Sequence, residues 1–143
     1  DLINRGLNHA RIHELVHDVN TLSKLHLLGF ALNEKLRVIP KVPVAVIAIS
    51  SEELNRFSYK KGDTEGLVNY ALSLDGVQMA AFIKEDDNKV KMSFRSKGDI
   101  AVNEFSSKYF SGGGHKNAAG GVSFESFEET VKLFEAKIVE FLK

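Results

Sequence analysis

Val44-Ala-Val-Ile-Ala-Ile-Ser50 is the stretch that decides the fold. It is apolar without alternation and rich in β-branched residues, the pattern of a strand covered on both faces in an α/β sheet. Just before it, Arg37-Val-Ile-Pro-Lys-Val-Pro43 holds both prolines of the chain. Proline stops a helix and pushes the preceding residue toward extended backbone, so a boundary falls there. Further upstream, Ile12, Leu15, Val16 and Val19 share one helical face, and Leu22, Leu25, Leu28, Leu32 and Leu36 repeat the pattern. The spacing predicts two helices over residues 9–36, with Asn20 as a cap between them.

Downstream of the strand, Ser51-Glu-Glu-Leu54 reads as a short helix start. Lys60-Lys-Gly-Asp-Thr-Glu-Gly66 is loop chemistry leading into a helix with Leu67, Tyr70, Ala71 and Leu74 on one side, capped by Asp63 or Thr64. Val77 to Lys84 and Lys89 to Arg95 form a strand pair around the turn Glu85-Asp-Asp-Asn88. In the second of them Met92 and Phe94 alternate with Ser93 and Arg95. A helix over Ile100 to Phe110 runs into Ser111-Gly-Gly-Gly-His115, and Val122 to Phe124 is a last short strand. The closing helix starts at a capping box of Ser126 and Glu129, and its apolar stripe is Phe127, Val131, Phe134, Ile138 and Phe141.

The composition narrows the chemistry. A chain of 143 residues with 43% hydrophobic and 27% charged residues has enough apolar surface for one real core. With no cysteine, disulfides, thiolate metal sites and cysteine nucleophiles are excluded, and a reducing, cytoplasmic compartment is expected. The longest apolar run, Val42 to Ile49, is strand-sized and falls short of the roughly 20 residues a membrane helix needs. The first residues, Asp1 to Arg11, are polar and unlike a signal peptide. Lysine plus arginine equals aspartate plus glutamate at 19 each, which argues against a protein that coats long nucleic acid. Between Asn88 and Gly121, however, Lys89, Lys91, Arg95, Lys97, Lys108 and Lys116 face only Asp99 and Glu104. That excess suits either a small anionic ligand or a solvated face.

Gly112-Gly-Gly-His-Lys-Asn-Ala-Ala-Gly-Gly121 is the most informative stretch for function. Glycines reach positive φ at little steric cost, and successive N–H groups in such turns make concave anion sites, so a phosphate cradle is one reading and a flexible connection the other. No Gly-Lys-Ser/Thr follows, so it is not a P-loop; Asn117 stands where a dinucleotide fingerprint needs its third glycine. His115 is placed to donate to a phosphate or sugar oxygen, or to be tied to a carbonyl. Arg95, beside Ser93 on the polar face of its strand, offers a fork for paired phosphate oxygens, or is a surface arginine. His9, His13 and His17 have a spacing that can bring two histidines to one metal, but they drift from the apolar face toward solvent. Asp63 and Glu65 look like an acid/base pair yet are explained as a cap and a first-turn acid. No nucleophile, base and orienting group come together in the sequence.

Met92-Ser-Phe-Arg-Ser96, Asn103 and Phe110-Ser-Gly-Gly-Gly-His-Lys-Asn-Ala-Ala-Gly-Gly121 resemble the C-terminal, DHH-associated domain of the DHH phosphoesterase superfamily. Lys60-Lys-Gly-Asp-Thr-Glu-Gly-Leu-Val-Asn69 is similar to the branch of oligoribonucleases that double as 3′-phosphoadenosine-5′-phosphate phosphatases, and Leu25-His-Leu-Leu-Gly29 to their inter-domain connector. The resemblance implies an α/β fold with a mixed β-sheet flanked by helices, preceded by an N-terminal helical connector. Residues 1–40 would be that connector and residues 41–143 the substrate-binding domain. It also implies a separate N-terminal domain that holds manganese through Asp-x-Asp and Asp-His-His motifs and catalyses hydrolysis. Neither motif occurs in this chain, since Asp86 and Asp87 are adjacent and His17-Asp18 is reversed. The expectation is therefore the binding half of a longer enzyme, with no catalytic residue and no metal of its own. Substrate binding carries over to Arg95, Gly112, Gly113, Gly114 and His115, with Ser96 and Asn103 as weaker candidates. The implied partners are the N-terminal DHH domain and a nucleotide or short single strand, with room for a homodimer and no membrane. The binding half of a cyclic-dinucleotide phosphodiesterase, an exopolyphosphatase-like enzyme and a non-catalytic nucleic-acid-binding module are the alternatives.

Overall fold

The computed structural model describes residues 20–143; the helix expected over residues 9–19, with His9, His13 and His17, lies outside them. Helix α1 (Leu22–Phe30) is capped by Thr21, whose hydroxyl accepts the Lys24 N–H at 3.0 Å, so the cap is one residue beyond Asn20. It runs into a π-helical turn, Ala31–Lys35. Strand β1 (Arg37–Val38) then turns back antiparallel on β2 (Val44–Ile49). The proline segment is thus a tight connection within one sheet, with Lys41 at φ 72°.

Ser50 and Glu53 form a reciprocal capping box that starts α2 (Ser51–Arg56). Helix α3 (Leu67–Leu72) begins after Gly66 in the left-handed conformation at φ 87°, a geometry glycine adopts without strain. The expected cap, Asp63, instead accepts the Lys60 N–H at 2.9 Å and closes the preceding loop. Strands β3 (Met79–Asp86) and β4 (Lys89–Ser96) are joined by a two-residue turn. They are followed by α4 (Val102–Tyr109), β5 (Gly113–His115), β6 (Ala118–Ser123) and α5 (Phe127–Phe141), which Ser126 caps by accepting the Glu129 N–H.

The six strands form one mixed sheet in the order β1-β2-β3-β4-β6-β5, with β2 and β3 parallel and the other neighbours antiparallel. One face packs on α4 and α5. There Phe94 lies at the centre, stacked on Phe134 at 5.9 Å and edge-on to Phe105 at 5.4 Å. On the other face Ala45, Ile47, Ala80 and Phe82 are covered by Leu27, Leu54, Leu67, Val68 and Ala71 of α1, α2 and α3. Strand β2 is therefore covered on both sides, which is why its sequence does not alternate. The second layer of helices stops near β4, so β6 and β5 keep that face open, and this unequal covering creates the site.

Candidate anion-binding face

The alternation along β4 sorts its side chains. Val90, Met92, Phe94 and Ser96 are buried on the helix-packed side, while Lys91, Ser93 and Arg95 stand on the other. The register extends this polar face across three strands: Ala80 pairs with Arg95, Arg95 with Ala118, and Ala118 with His115. Paired residues share a face, so Arg95 and His115 flank Ala118 two strands apart, roughly 10 Å between backbones. The next row, Ser93, Gly120 and Gly113, has almost no side chain. The result is a flat, shallow floor with a guanidinium on one side and an imidazole on the other. Arg95 is half-buried and its Nη1 donates to the Phe94 carbonyl at 2.9 Å, leaving four guanidinium N–H groups for a ligand.

The glycine run does something other than form a loop. Gly113 opens strand β5, has no positive φ, and a β-carbon on it would meet nothing within 4 Å. Only Gly114 of the three has positive φ, at 144°. Its β-carbon would come within 2.8 Å of the Ala119 Cα, and one on Gly112 would run into the backbone of Gly120 and Gly121 and the Ser106 hydroxyl. Gly121 is equally tight, 2.8 Å from the Phe110 Cβ. These glycines let α4 lie directly on the β5–β6 hairpin, where the buried Ser106 hydroxyl donates to the Gly120 carbonyl. Ala118 to Gly121 are likewise strand and not loop, since they begin β6.

Ser96 faces away from Arg95. Its hydroxyl donates to the Ile100 carbonyl at 2.6 Å and accepts from Asn117 Nδ2 at 2.9 Å, so it anchors the β5–β6 turn from behind. Asn103 lies on α4, the helix packed against the opposite face, and its Oδ1 is buried without a hydrogen-bond partner among the described residues.

Sequence reasoning missed the neighbouring cavity of about 210 Å³. Arg95, Ser93 and Lys91 of β4, Phe82 and Lys84 of β3, and the segment from Thr64 bound it. The period-two step from Arg95 to Lys91 was a usable signal; Lys84, on another strand, left none. A larger cavity of about 370 Å³ lies at the opposite end, near β1 and α5. Its Arg37 is paired with Glu135 at 2.6 Å and its Lys35 with Glu53 at 2.9 Å. By contrast, neither Arg95 nor Lys84 has a carboxylate partner among the described residues. Chemistry therefore favours the smaller cavity over the larger. No three His, Cys, Asp or Glu side chains among the described residues stand together as a metal site. No helix among them is long and apolar enough to cross a membrane.

The chain is 30% identical over 89 residues to the bifunctional oligoribonuclease and PAP phosphatase NrnA of Bacillus subtilis, a match covering 62% of this chain and 28% of that protein. It superposes on the crystal structure of an exopolyphosphatase-related protein from Bacteroides fragilis with a TM-score of 0.86 and 36% identity, over 98% of this chain and 41% of the other. The pGpG-specific phosphodiesterase PggH from Vibrio shares the fold, with a TM-score of 0.59 at 14% identity over 82% of this chain and 38% of its own. The chain thus spans well under half the length of each of these relatives. The model of the DHHA1 domain matches residues 41–143, which take in β2 to α5 and the whole Arg95–His115 face, and the chain belongs to the DHHA1 domain family.

Proposed function

We propose that this chain is the substrate-holding part of a phosphoesterase that hydrolyses short oligonucleotides or adenosine 3′,5′-bisphosphate. The observation that carries the reading is the placement of Arg95 and His115 on one register row, across the bare floor of Ala118, Gly120 and Gly113. A phosphate on this floor meets the guanidinium fork on one side, which matches two of its oxygens, and an imidazole N–H on the other. The lack of side chains lets the ligand lie close to the sheet, and the open edge at β5 leaves room for a strand to enter. The kinship with an oligoribonuclease and PAP phosphatase supports the substrate class.

Hydrolysis in this reading belongs to an N-terminal DHH domain, the partner with which DHHA1 domains occur in DHH proteins. A manganese ion held in that domain would supply the activated water for hydrolysis. This chain's own contribution is to bind and orient the phosphate ester. Arg95→Ala in the full-length protein removes charge-assisted hydrogen bonds worth roughly 1.5 to 3 kcal/mol, so a phosphorothioate-linked diadenylate binds about tenfold to hundredfold more weakly. Calorimetric titration measures this. Unchanged affinity, with thermal unfolding also unchanged, removes Arg95 from the site and the proposal with it.

A further inference from the structure

The polar face continues beyond Arg95. Along β4 it passes Ser93 to Lys91, and Lys91 pairs in register with Lys84 of β3. Both lysines and Arg95 line the same cavity of about 210 Å³, with the exposed Glu65 as its one carboxylate. Lys91 shares its charge with Asp86 at 3.4 Å. Lys84 has no such partner among the described residues. Its ammonium is held by the Tyr59 hydroxyl at 2.9 Å and stands 5.0 Å over the Tyr59 ring. A half-buried lysine fixed by a neutral phenol retains donors, and Asp86, whose carboxylate feels its charge, is already paired with Lys91, so positive charge is in excess around the cavity and favours an anion there.

The spacing indicates what kind of anion. Lys84 and Lys91 lie four residues along the strands from the Arg95 row, about 13 Å between Cα positions. Lysine and arginine side chains lining one cavity can reach a shared ligand across that gap. Two phosphates carried by one nucleoside suit such a pair of cations. We propose that Lys84, supported by Lys91, forms a second phosphate subsite, which seats a phosphate on the 3′ oxygen of a nucleoside whose 5′ phosphate is held at Arg95. The inference rests on the reading of the Arg95 face as the substrate site, and it makes the protein selective for ligands with two phosphates over mononucleotides.

The test measures binding to the full-length protein of 5′-AMP, adenosine 3′,5′-bisphosphate and a 5′-phosphorylated, phosphorothioate-linked diadenylate, over a range of salt. Lys84→Gln is expected to leave AMP affinity within about twofold, to weaken the two-phosphate ligands by about tenfold, and to lower the salt slope for the diadenylate by about 0.7. Lys84→Arg keeps the charge and restores most of the affinity. Loss with both two-phosphate ligands shows that the subsite takes a monoester or a diester; loss with one alone identifies which. Should Lys84→Gln unfold, Lys91→Gln, at a half-exposed position, is expected to show the same selectivity. Equal loss for all three ligands, or for none while Arg95→Ala weakens all of them, overturns the second subsite alone. If none of the ligands binds the wild type, or Arg95→Ala affects none, the substrate-site reading falls and the subsite with it.

Discussion

Gly112 and Gly113 are neighbours with opposite constraints. A β-carbon on Gly112 would strike backbone atoms of β6 and the Ser106 hydroxyl, none of which is a flexible chain end. Gly112→Ala therefore has to push α4 off the hairpin, at about 1 to 3 kcal/mol, the usual range for overpacking. Gly113 has open space and ordinary φ, so Gly113→Ala is expected to hold or slightly raise thermal stability, by up to about 1 kcal/mol. Its methyl would stand in the row of Ser93 and Gly120, on the ligand side of the floor. Affinity for the diadenylate should fall while stability does not. Melting curves without ligand, together with titrations on both variants, check the pair. A Gly113→Ala protein that binds as well as wild type would show that the floor is not a ligand surface. The glycine run was legible as a place where backbone must come close to something. Which glycine approaches the protein and which faces outward depends on β6, and no local pattern contains that.

At the scale of elements, α2 shows how a short helix is held. The Glu53 carboxylate accepts the Ser50 N–H and the Lys35 ammonium, each at 2.9 Å, and so joins the helix start to the end of the π-helical turn. Burial pushes the Glu53 carboxyl up, but the hydrogen bonds from Ser50 and Lys35 and the lysine's charge outweigh it and hold the group below its ordinary value. A carboxyl with a depressed native value contributes stability that is fully present above its unfolded value, about 4.3, and is lost as pH falls through the lower native one. Glu53→Gln should therefore melt lower than wild type at neutral pH, by about 1 kcal/mol of stability, and the gap should close as pH falls below the ordinary carboxylate range. Thermal unfolding across that range decides it; a gap that persists in acid would mean the carboxylate's charge does not hold the helix. Strands β1 and β5 illustrate the other side of element formation. They are two and three residues long, and β5 is two glycines and a histidine. Segments this short do not form strands alone, and they exist because β2 and β6 supply partners.

For the molecule as a whole, the sheet has one face covered along its length and one covered only in part. Phe94 ties the fully covered face together, touching the rings of Phe105, Phe110 and Phe134 with no exposure to solvent. Phe94→Ala should cost about 3 to 5 kcal/mol in chemical denaturation, because the rings around the space stand on α4, at its C-terminal cap and on α5 and cannot collapse into it together. A loss below about 1 kcal/mol would mean that the cluster repacks freely. The sequence by itself determined the α/β class, the doubly covered β2, the split of β4 into buried and polar sides, and the capped closing helix. Each is a periodicity or a cap, set by residues within a turn or a strand of one another. It also pointed to Arg95 and His115, whose residue types and glycine context are local. Only the tertiary structure decided that those two lie on one row, that Ser96 faces the other way, and that Lys84 joins Lys91 and Arg95 around one cavity. Those relations come from strand order and register, which bring together residues distant in the chain, and from where the second layer of helices ends.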